Sequence, residues 1–237
     1  MTGRHTGVSI ALIHGLFIFF VGAGAESGPS DVISSGGFLK GVRDLVYDES
    51  RSLIFTAAIH GTVSIINVKN SSNPFLVSSV APSTVLDAHG LAMDHKNQRL
   101  FVASVSQASV TCIDVTRPET PRIVSTVRNT TWLYYSTHLS FDPHRSALFV
   151  ASAGNGNESM CPSCGHSISS ITVNDFGLMT LRHRMTSWYP DTSPGVNKTL
   201  AYPVYTLLDP ERPLLYVSND ARCTVEASPK ILRNLKP

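Results

Sequence analysis

A repeated unit, a strand-like pattern inside each copy of it and the lack of helical periodicity predict an all-β fold. The unit occurs four times without gaps, and in each copy an aromatic residue follows an aspartate by seven positions. Each copy has room for about four short strands in roughly 45 residues, which is typical of one blade of a β-propeller. We therefore predict a β-propeller of about four blades, each a four-stranded antiparallel sheet.

The four copies of the unit align on Asp48, Asp94, Asp142 and Asp209, and their aromatic residues are Phe55, Phe101, Phe149 and Tyr216. Successive aspartates are 46, 48 and 67 residues apart, so the third unit is the longest. A generic β-sandwich also has short, evenly spaced strands. The ungapped recurrence of the unit favours the propeller over the sandwich.

Each unit begins with a short apolar strand, continues through the aspartate turn and then forms a second strand. A third strand is predicted at 63–68, 110–115 and 168–173, and a fourth strand at 75–80 and 122–127. In the last unit the third and fourth strands are compressed into residues 223–232. The aspartates themselves are predicted to satisfy backbone N–H groups of their turns.

The N-terminal residues have the layout of a secretory signal peptide. A short polar start precedes an apolar stretch at 8–21, and small residues precede Glu26. We predict a signal peptide at 1–25, and hence a secreted protein or one in the lumen of the secretory pathway. The alternative is an uncleaved segment that anchors the chain in a membrane, although the stretch is shorter than the roughly 20 residues of a spanning helix.

Beyond the signal, residues 26–37 are predicted to be a polar linker and residues 38–237 to form the repeats. The repeats divide at about 38–88, 89–137, 138–204 and 205–237.

The composition excludes two classes of protein. Hydrophobic residues make up 42% of the 237 residues, charged residues only 15%, and the formal net charge is +2. Ample apolar content with a small net charge excludes a disordered chain. No run of basic residues is present, so we expect no nucleic-acid partner.

Two segments carry a family resemblance. Residues 61–77 (GTVSIINVKNSSNPFLV) and 111–124 (TCIDVTRPETPRIV) resemble the LVIVD repeat of secreted and surface propellers. The stretch from His89 to Ala103 resembles the repeats of YVTN and lactonase-like propellers. The resemblance covers about residues 38–237 and implies the propeller architecture, not a particular activity. Propellers of this family commonly have more blades than four, so the sequence resembles a small or incomplete propeller.

The four cysteines and the glycosylation motifs fit an exported protein. Cys161 and Cys164 form a CxxC pair, for which we predict a local disulfide; a redox-active dithiol and half of a zinc site are the alternatives. Cys112 and Cys223 occupy similar third-strand positions, as buried thiols or as partners of each other. Candidate glycosylation sites are Asn70, Asn129, Asn157 and Asn197.

Aromatic residues in the loops are candidate binding residues. The third unit has insertions at 154–165 and 187–204, which we expect to project from the face that carries the connections between blades. Trp132, Trp188 and Tyr189 lie in those connections. They indicate a protein or glycan ligand at this face, or else they fill gaps between blades.

The beginnings of the first strands suggest a second site. Asp44, His89 and His138 are predicted to lie around the mouth of the central channel, where two imidazoles and a carboxylate could hold a divalent metal. The alternative is a polar lining of the channel. No other cofactor is predicted.

These observations favour a secreted propeller that acts as a binding scaffold through its loop-rich face. The alternative is a propeller enzyme, a lactonase-like hydrolase or a metal-dependent oxidase, with its site at the channel mouth. No GxSxG or HExxH motif is present, and no residue is assigned a catalytic role.

Overall fold

Strand pairing confirms the all-β prediction. The computed structural model describes residues 39–154, 166–186, 202–209 and 211–219, together with the backbone of three further strands at 9–13, 16–20 and 224–228. Apart from a single 3-10 turn at Ser83–Val85, the regular elements of this described part are all strands.

The strands fall into one hairpin and four sheets. The hairpin pairs β1 (Ser9–Ile13) with β2 (Leu16–Phe20). The first sheet contains β3 (Val42–Asp48), β4 (Leu53–Ala58), β5 (Val63–Asn67) and β6 (Phe75–Val80). The second sheet contains β7 (Ala88–Asp94), β8 (Arg99–Ser104), β9 (Ser109–Asp114) and β10 (Arg122–Arg128). The third sheet contains β11 (Ser136–Asp142), β12 (Ala147–Ser152), β13 (Ser167–Val173) and β14 (Met179–Thr186). The fourth sheet contains β15 (Pro203–Leu208), β16 (Leu215–Asn219) and β17 (Thr224–Ser228).

Each sheet is an antiparallel meander in which every strand pairs with its neighbours in sequence. The third and fourth strands of the first two sheets lie where the sequence predicts them, to within one or two residues at each end. The fourth sheet has three strands in the described residues, the third of them at the start of the compressed segment 223–232. The predicted linker at 26–37 lies outside the described residues.

The sheets pack side by side along their first strands. β7 lies between β3 and β11, and β11 lies between β7 and β15. Among the described strands, those of the first and fourth sheets do not make comparable contact with each other. The sheets therefore form a consecutive series of blades around the line of their first strands.

Side-chain alternation along the second strand of each repeat joins one sheet to the next. Phe101 points into the cluster shared by the second and third sheets, whereas its neighbours Leu100 and Val102 point into the cluster shared by the first and second. Phe55 and Phe149 take the position of Phe101 in their own repeats. All three phenylalanines are fully buried. Successive residues of a strand face opposite sides of its sheet, which places Phe101 and its neighbours in different clusters.

The repeated aspartates close the turns between the first and second strands, as predicted. Asp142 Oδ1 accepts the backbone N–H groups of His144 and Arg145 at 2.9 and 3.1 Å, and Asp142 Oδ2 accepts Arg145 Nη1 at 2.5 Å. Asp48, Asp94 and Asp209 accept backbone N–H groups of their own turns in the same manner. The aspartates are therefore structural residues.

Asp142→Ala is expected to destabilise the protein by about 2–3 kcal/mol, because two backbone N–H groups and a guanidinium lose a nearly buried acceptor. The measurement is the free energy of unfolding from urea titration. Asp175→Ala, an exposed turn position, is the matched control and should change stability little. An equal loss of stability in the two variants would contradict the assigned role of the turn.

Candidate functional site

One end of the sheets carries both the connections between blades and the starts of the first strands. The residue just before the first strand accepts a backbone hydrogen bond from the residue that follows the second strand: Ile59 N–H donates to Gly41 O, Val105 N–H to Asp87 O and Ala153 N–H to Tyr135 O, at 3.0, 3.0 and 3.1 Å. We call this end the connection face, and the opposite end, with the aspartate turns, the turn face.

Every first strand is irregular at this end. The pairing of first and second strands shifts register between Val42 and Asp44, between Ala88 and Leu91, between Ser136 and His138 and between Pro203 and Tyr205. Such bulges bend a strand and re-aim its side chains, and they are common beside binding and active sites. The four bulges lie at corresponding positions, at the end of the first strands where the channel mouth was predicted.

Asp44 and His138 meet at the bulges, although they belong to the first and third sheets. Asp44 Oδ2 lies 3.7 Å from His138 Nε2. The same oxygen accepts the N–H of Leu91 in the intervening sheet at 2.8 Å. Gly90 makes this approach possible, because a Cβ at position 90 would lie 2.6 Å from the Cα of His138. The missing side chain at Gly90 thus brings the carboxylate and the imidazole together.

The fourth sheet fixes the tautomer of His138. The backbone N–H of Thr206 donates to His138 Nδ1 at 3.2 Å. Because a backbone N–H can only donate, Nδ1 is unprotonated and the neutral ring carries its proton on Nε2, the atom nearest Asp44. The ring of Tyr205 stacks on His138 with centroids 4.1 Å apart.

Burial shifts the pKa values of this pair in opposite directions. It raises the pKa of Asp44 to about 6, against the opposing effect of the N–H groups of Leu91 and Leu45. It lowers the pKa of His138 to about 4. Burial and the charge of Asp44 raise the pKa of Tyr205. At neutral pH the site therefore holds a carboxylate beside a neutral imidazole.

The predicted third metal ligand does not join this pair. His89 lies five residues before its aspartate and Asp44 and His138 lie four before theirs. His89 Nε2 lies 3.5 Å from Asp87 Oδ1. No group of three His, Cys, Asp or Glu side chains within the described residues is placed to share a metal ion. The structure thus brings together two of the three predicted ligands.

The loop residues singled out by the sequence are only partly described. Trp132 is half-buried, and its carbonyl accepts the hydroxyl groups of Ser167 and Ser169 at 3.4 and 3.2 Å. These hydrogen bonds to the backbone hold the connection against the third strand. Outside the described residues lie Trp188, Tyr189, Cys161, Cys164, Cys223, Asn157 and Asn197.

The two described glycosylation candidates differ. Asn70 is exposed in the turn between β5 and β6. Asn129 is half-buried, and its side-chain oxygen accepts the N–H groups of Thr131 and Trp132 at 3.0 and 2.8 Å. The buried-thiol expectation for Cys112 is confirmed: it is a free, fully buried cysteine whose pKa burial raises to about 12.

A cleft of about 650 Å³ opens on the turn face between the third and fourth sheets. It is lined by residues 141–145 and by the turn after β15. Its two arginines, Arg145 and Arg212, each pair with the aspartate of their own turn, Asp142 and Asp209, at 2.5 and 2.6 Å. Because the turns use these charges internally, the cleft is a weaker candidate site than the connection face.

Sequence reasoning missed the parts played by Gly90 and Thr206. Aligning residues four positions before each aspartate gives Asp44, Gly90, His138 and Tyr205, which are the residues at the bulges. That alignment contains the signal for Gly90. No comparable signal identifies Thr206, because its hydrogen bond to His138 depends on how closely the third and fourth sheets approach.

The opposed pKa shifts predict opposite pH dependences of stability. Asp44→Asn leaves His138, whose neutral form the fold favours, so stability should fall as the pH drops from 6.5 towards about 4. His138→Gln leaves Asp44, whose protonated form the fold favours, so stability should fall as the pH rises from 3.8 towards about 6. Each effect is on the order of 3 kcal/mol.

Urea titrations at a series of pH values measure this prediction. The unsubstituted protein is the control, and the dependence from this pair should largely cancel there because its two contributions oppose each other. Titratable groups at other sites, such as His89, contribute equally in all three proteins. The same slope of stability against pH in both variants would contradict the assignment.

Comparison with solved structures shows the propeller fold. The chain is similar to Kuenenia stuttgartiensis hydrazine synthase, with a TM-score of 0.59 and 14% identity over 86% of this chain and 49% of that one. It is similar to the β-propeller domain of Myceliophteria thermophila Cps50 (Swd1), with a TM-score of 0.56 and 11% identity over 78% of this chain and 52% of that one. A chain of the mitotic checkpoint complex gives a TM-score of 0.56 and 11% identity over 78% and 50%.

These likenesses concern architecture. The chain spans about half the length of the solved structures it matches. No protein-family model matches the sequence, and no curated protein sequence matches it. The structural neighbours thus confirm the predicted β-propeller fold. No family model confirms the resemblance to the LVIVD or YVTN repeats.

Proposed function

We propose that the chain is a secreted, LVIVD-like propeller that holds a protein partner on its connection face. The observation that carries the proposal is Tyr135, a bulky residue in a backbone conformation that disfavours side chains. The series of blades supplies a rigid support, and loops on such supports are where binding residues concentrate.

Tyr135 has a φ of 57° and lies seven residues before its aspartate, directly before β11. The corresponding residues of the other repeats, Gly41, Asp87 and Tyr202, also have positive φ, so the fold requires this conformation at that position. A residue with a Cβ pays about 1–2 kcal/mol for it, and the first repeat avoids that cost with glycine. A tyrosine here therefore has a use other than local stability.

The ring of Tyr135 is available for contact. It is 38% exposed, whereas Tyr202, at the corresponding position, packs its ring edge-on against His166 with centroids 4.3 Å apart. Leu86 and Tyr205 at the same face are 45% and 44% exposed. Tyrosine is favoured at the centres of protein interfaces. The chemistry of the face suits a protein surface; a glycan that stacks on the rings is the other ligand class it would accept.

Secretion and glycosylation belong to the proposal. They are supported by the signal-like sequence of residues 1–25, the four glycosylation motifs and the predicted Cys161–Cys164 disulfide. An exposed Asn70 agrees with a glycan there. Within the described part of the chain, no helix has the length and apolar character that crossing a bilayer requires.

Tyr135→Gly tests the proposal because glycine tolerates the positive φ and removes only the ring. The free energy of unfolding should stay within about 1 kcal/mol of that of the unsubstituted protein. Glycine relieves backbone strain in the folded state, but it also raises the conformational entropy of the unfolded chain, and the two effects oppose each other. The protein, secreted from eukaryotic cells with an affinity tag, is used to capture partners, which are quantified by mass spectrometry. A partner bound by the unsubstituted protein should be lost with Tyr135→Gly.

Tyr47→Ala is the matched control, since Tyr47 is similarly exposed at the other end of its first strand. It should retain the partner. Equal recovery of every captured protein by the Tyr135 and Tyr47 variants, or no specific capture by the unsubstituted protein, would contradict the proposal.

A second candidate function rests on the Asp44–His138 pair. A carboxylate whose pKa is about 6, beside a neutral imidazole, could exchange protons with a substrate near neutral pH. This is the channel-mouth hydrolase or metal-dependent oxidase of the sequence-based alternative.

A lactone panel together with metal analysis of the purified protein tests this candidate. Hydrolysis that is abolished by His138→Gln and kept by Tyr135→Gly would establish the enzyme, and stoichiometric metal lost only with His138→Gln would establish a metal site at this pair. Activity unchanged by His138→Gln would exclude the pair as its site.

A further inference from the structure

The outer strands of the second and third sheets carry an excess of positive charge. β6, β10 and β14 are the last strands of their sheets, at the edge opposite the first strands. β10 and β14 together contain four arginines and a histidine, and they contain no acidic residue. The whole chain is nearly balanced, with 19 basic and 17 acidic residues. The excess therefore comes from where the charges are placed and not from the composition.

Three of these arginines are exposed, Arg122 and Arg128 on β10 and Arg182 on β14. We call these three residues the basic edge. None of them forms an ion pair within the described part of the chain. Arg182 Nε donates to Thr172 Oγ1 at 3.1 Å, but a hydroxyl does not neutralise the charge of a guanidinium. The basic edge thus presents three uncompensated positive charges to solvent.

The carboxylate opposite the basic edge is hydrogen-bonded within its own turn. Asp114 pairs with Arg122 in the register of β9 and β10, and its Oδ1 accepts the backbone N–H of Thr116 at 2.9 Å. Glu119 and Asp175 lie in the turns that precede β10 and β14. The acidic residues near the basic edge are therefore at its turn-face end, and the strands themselves stay positive towards the connection face.

The basic edge extends over two neighbouring sheets. β10 and β14 lie side by side, and Ser125 Oγ on β10 donates to Gly177 O, just before β14, at 2.7 Å. Arg122 and Arg128 are six residues apart, which is about 20 Å along a strand. On β14 a bulge opposite Ser170 and Ile171 inserts Arg182 as an extra residue. A ligand that contacts all three arginines must therefore be extended.

Charged residues on an edge strand also discourage sheets from pairing edge to edge. That role does not account for the distribution, because β6 is an outer strand of the same kind and contains no charged residue. The arginines are confined to the two outer strands that lie next to each other, which indicates a ligand.

We propose that the basic edge binds a sulfated glycosaminoglycan, a linear polysaccharide with sulfate groups along its length. An extended polyanion contacts arginines on two strands at once, whereas a small anion contacts one. The planar guanidinium group suits tetrahedral oxyanions, because it donates paired hydrogen bonds to two of their oxygens. The site is separate from the connection face and independent of the role of Tyr135. Its ligand occurs outside cells, in agreement with the secretion proposed above.

Binding of the purified full chain to immobilised heparin in about 0.15 M NaCl tests the inference. The unsubstituted protein should bind, and its affinity should fall as salt is added, because the contacts are ionic. A triple variant with Arg122→Ser, Arg128→Ser and Arg182→Ser should bind at least about ten-fold more weakly. Because all three positions are exposed, this variant should keep the circular dichroism spectrum of the unsubstituted protein. Lysine at the same positions keeps the charges and should restore part of the affinity.

A second triple variant, with Lys40→Ser, Arg43→Ser and Lys69→Ser, is the matched control. It removes three exposed positive charges from β3 and from the turns that flank the strands of the first sheet, so its net charge equals that of the arginine variant. It should bind heparin like the unsubstituted protein, and so should Tyr135→Gly. Equal weakening by the two triple variants, or no binding of heparin by the unsubstituted protein, would overturn the inference.

Two other polyanions distinguish the ligand class. Hyaluronan carries carboxylates and no sulfates, and vesicles of phosphatidylcholine with phosphatidylserine present an anionic bilayer. The unsubstituted protein should bind each of them at least about ten-fold more weakly than heparin, since neither offers rows of sulfate groups on an extended chain. Binding of hyaluronan or of the vesicles as tightly as heparin would contradict the assignment to a sulfated polysaccharide.

Discussion

Burial of the second strand on both of its faces, in each of the first three repeats, is the constraint on which the structure depends. In β4 and β12 all six residues are buried, and β8 departs from this only at its first residue. β8 and β12 each belong to two clusters, one shared with the preceding sheet and one with the following sheet, and β4 contributes to the cluster that the first sheet shares with the second. The low charge content of the chain is a consequence, since a strand packed on both faces has no side left for charged residues.

The same constraint confines chemistry to the ends of the strands. On the turn face the aspartate carboxylates accept hydrogen bonds from backbone N–H groups of their own turns. In three of the four repeats the arginine three residues later pairs with the aspartate. On the connection face the bulges release the strands from regular pairing, so side chains there meet across sheets. The Asp44–His138 contact, the stack with Tyr205 and the exposed ring of Tyr135 all lie at this end, which concentrates the candidate functions on one side of the molecule.

Much of the fold could be predicted from the sequence, because the repeat is recognised from patterns among residues close together in the chain. The aspartate turns and the third and fourth strands of the first two sheets follow from neighbours in sequence, and the structure has them as predicted. The candidate site was harder to predict than the fold, because its residues come from different repeats and meet only when the sheets pack together. Asp44 and His138 were identified as neighbours of the channel, but His89 was grouped with them although it lies one residue out of phase. A shift of one residue turns a side chain to the other side of a strand.

The glycine between the two halves of this site has a consequence for how such a chain can change over generations. Any side chain at position 90 would collide with the backbone at Thr137 and His138, which are not free to move as a flexible side chain would be. A substitution of Gly90 therefore cannot be neutral while Asp44 and His138 stay in contact. Descendants that gain a side chain there would have to give up the contact between the first and third blades, so position 90 records whether a lineage still has this site.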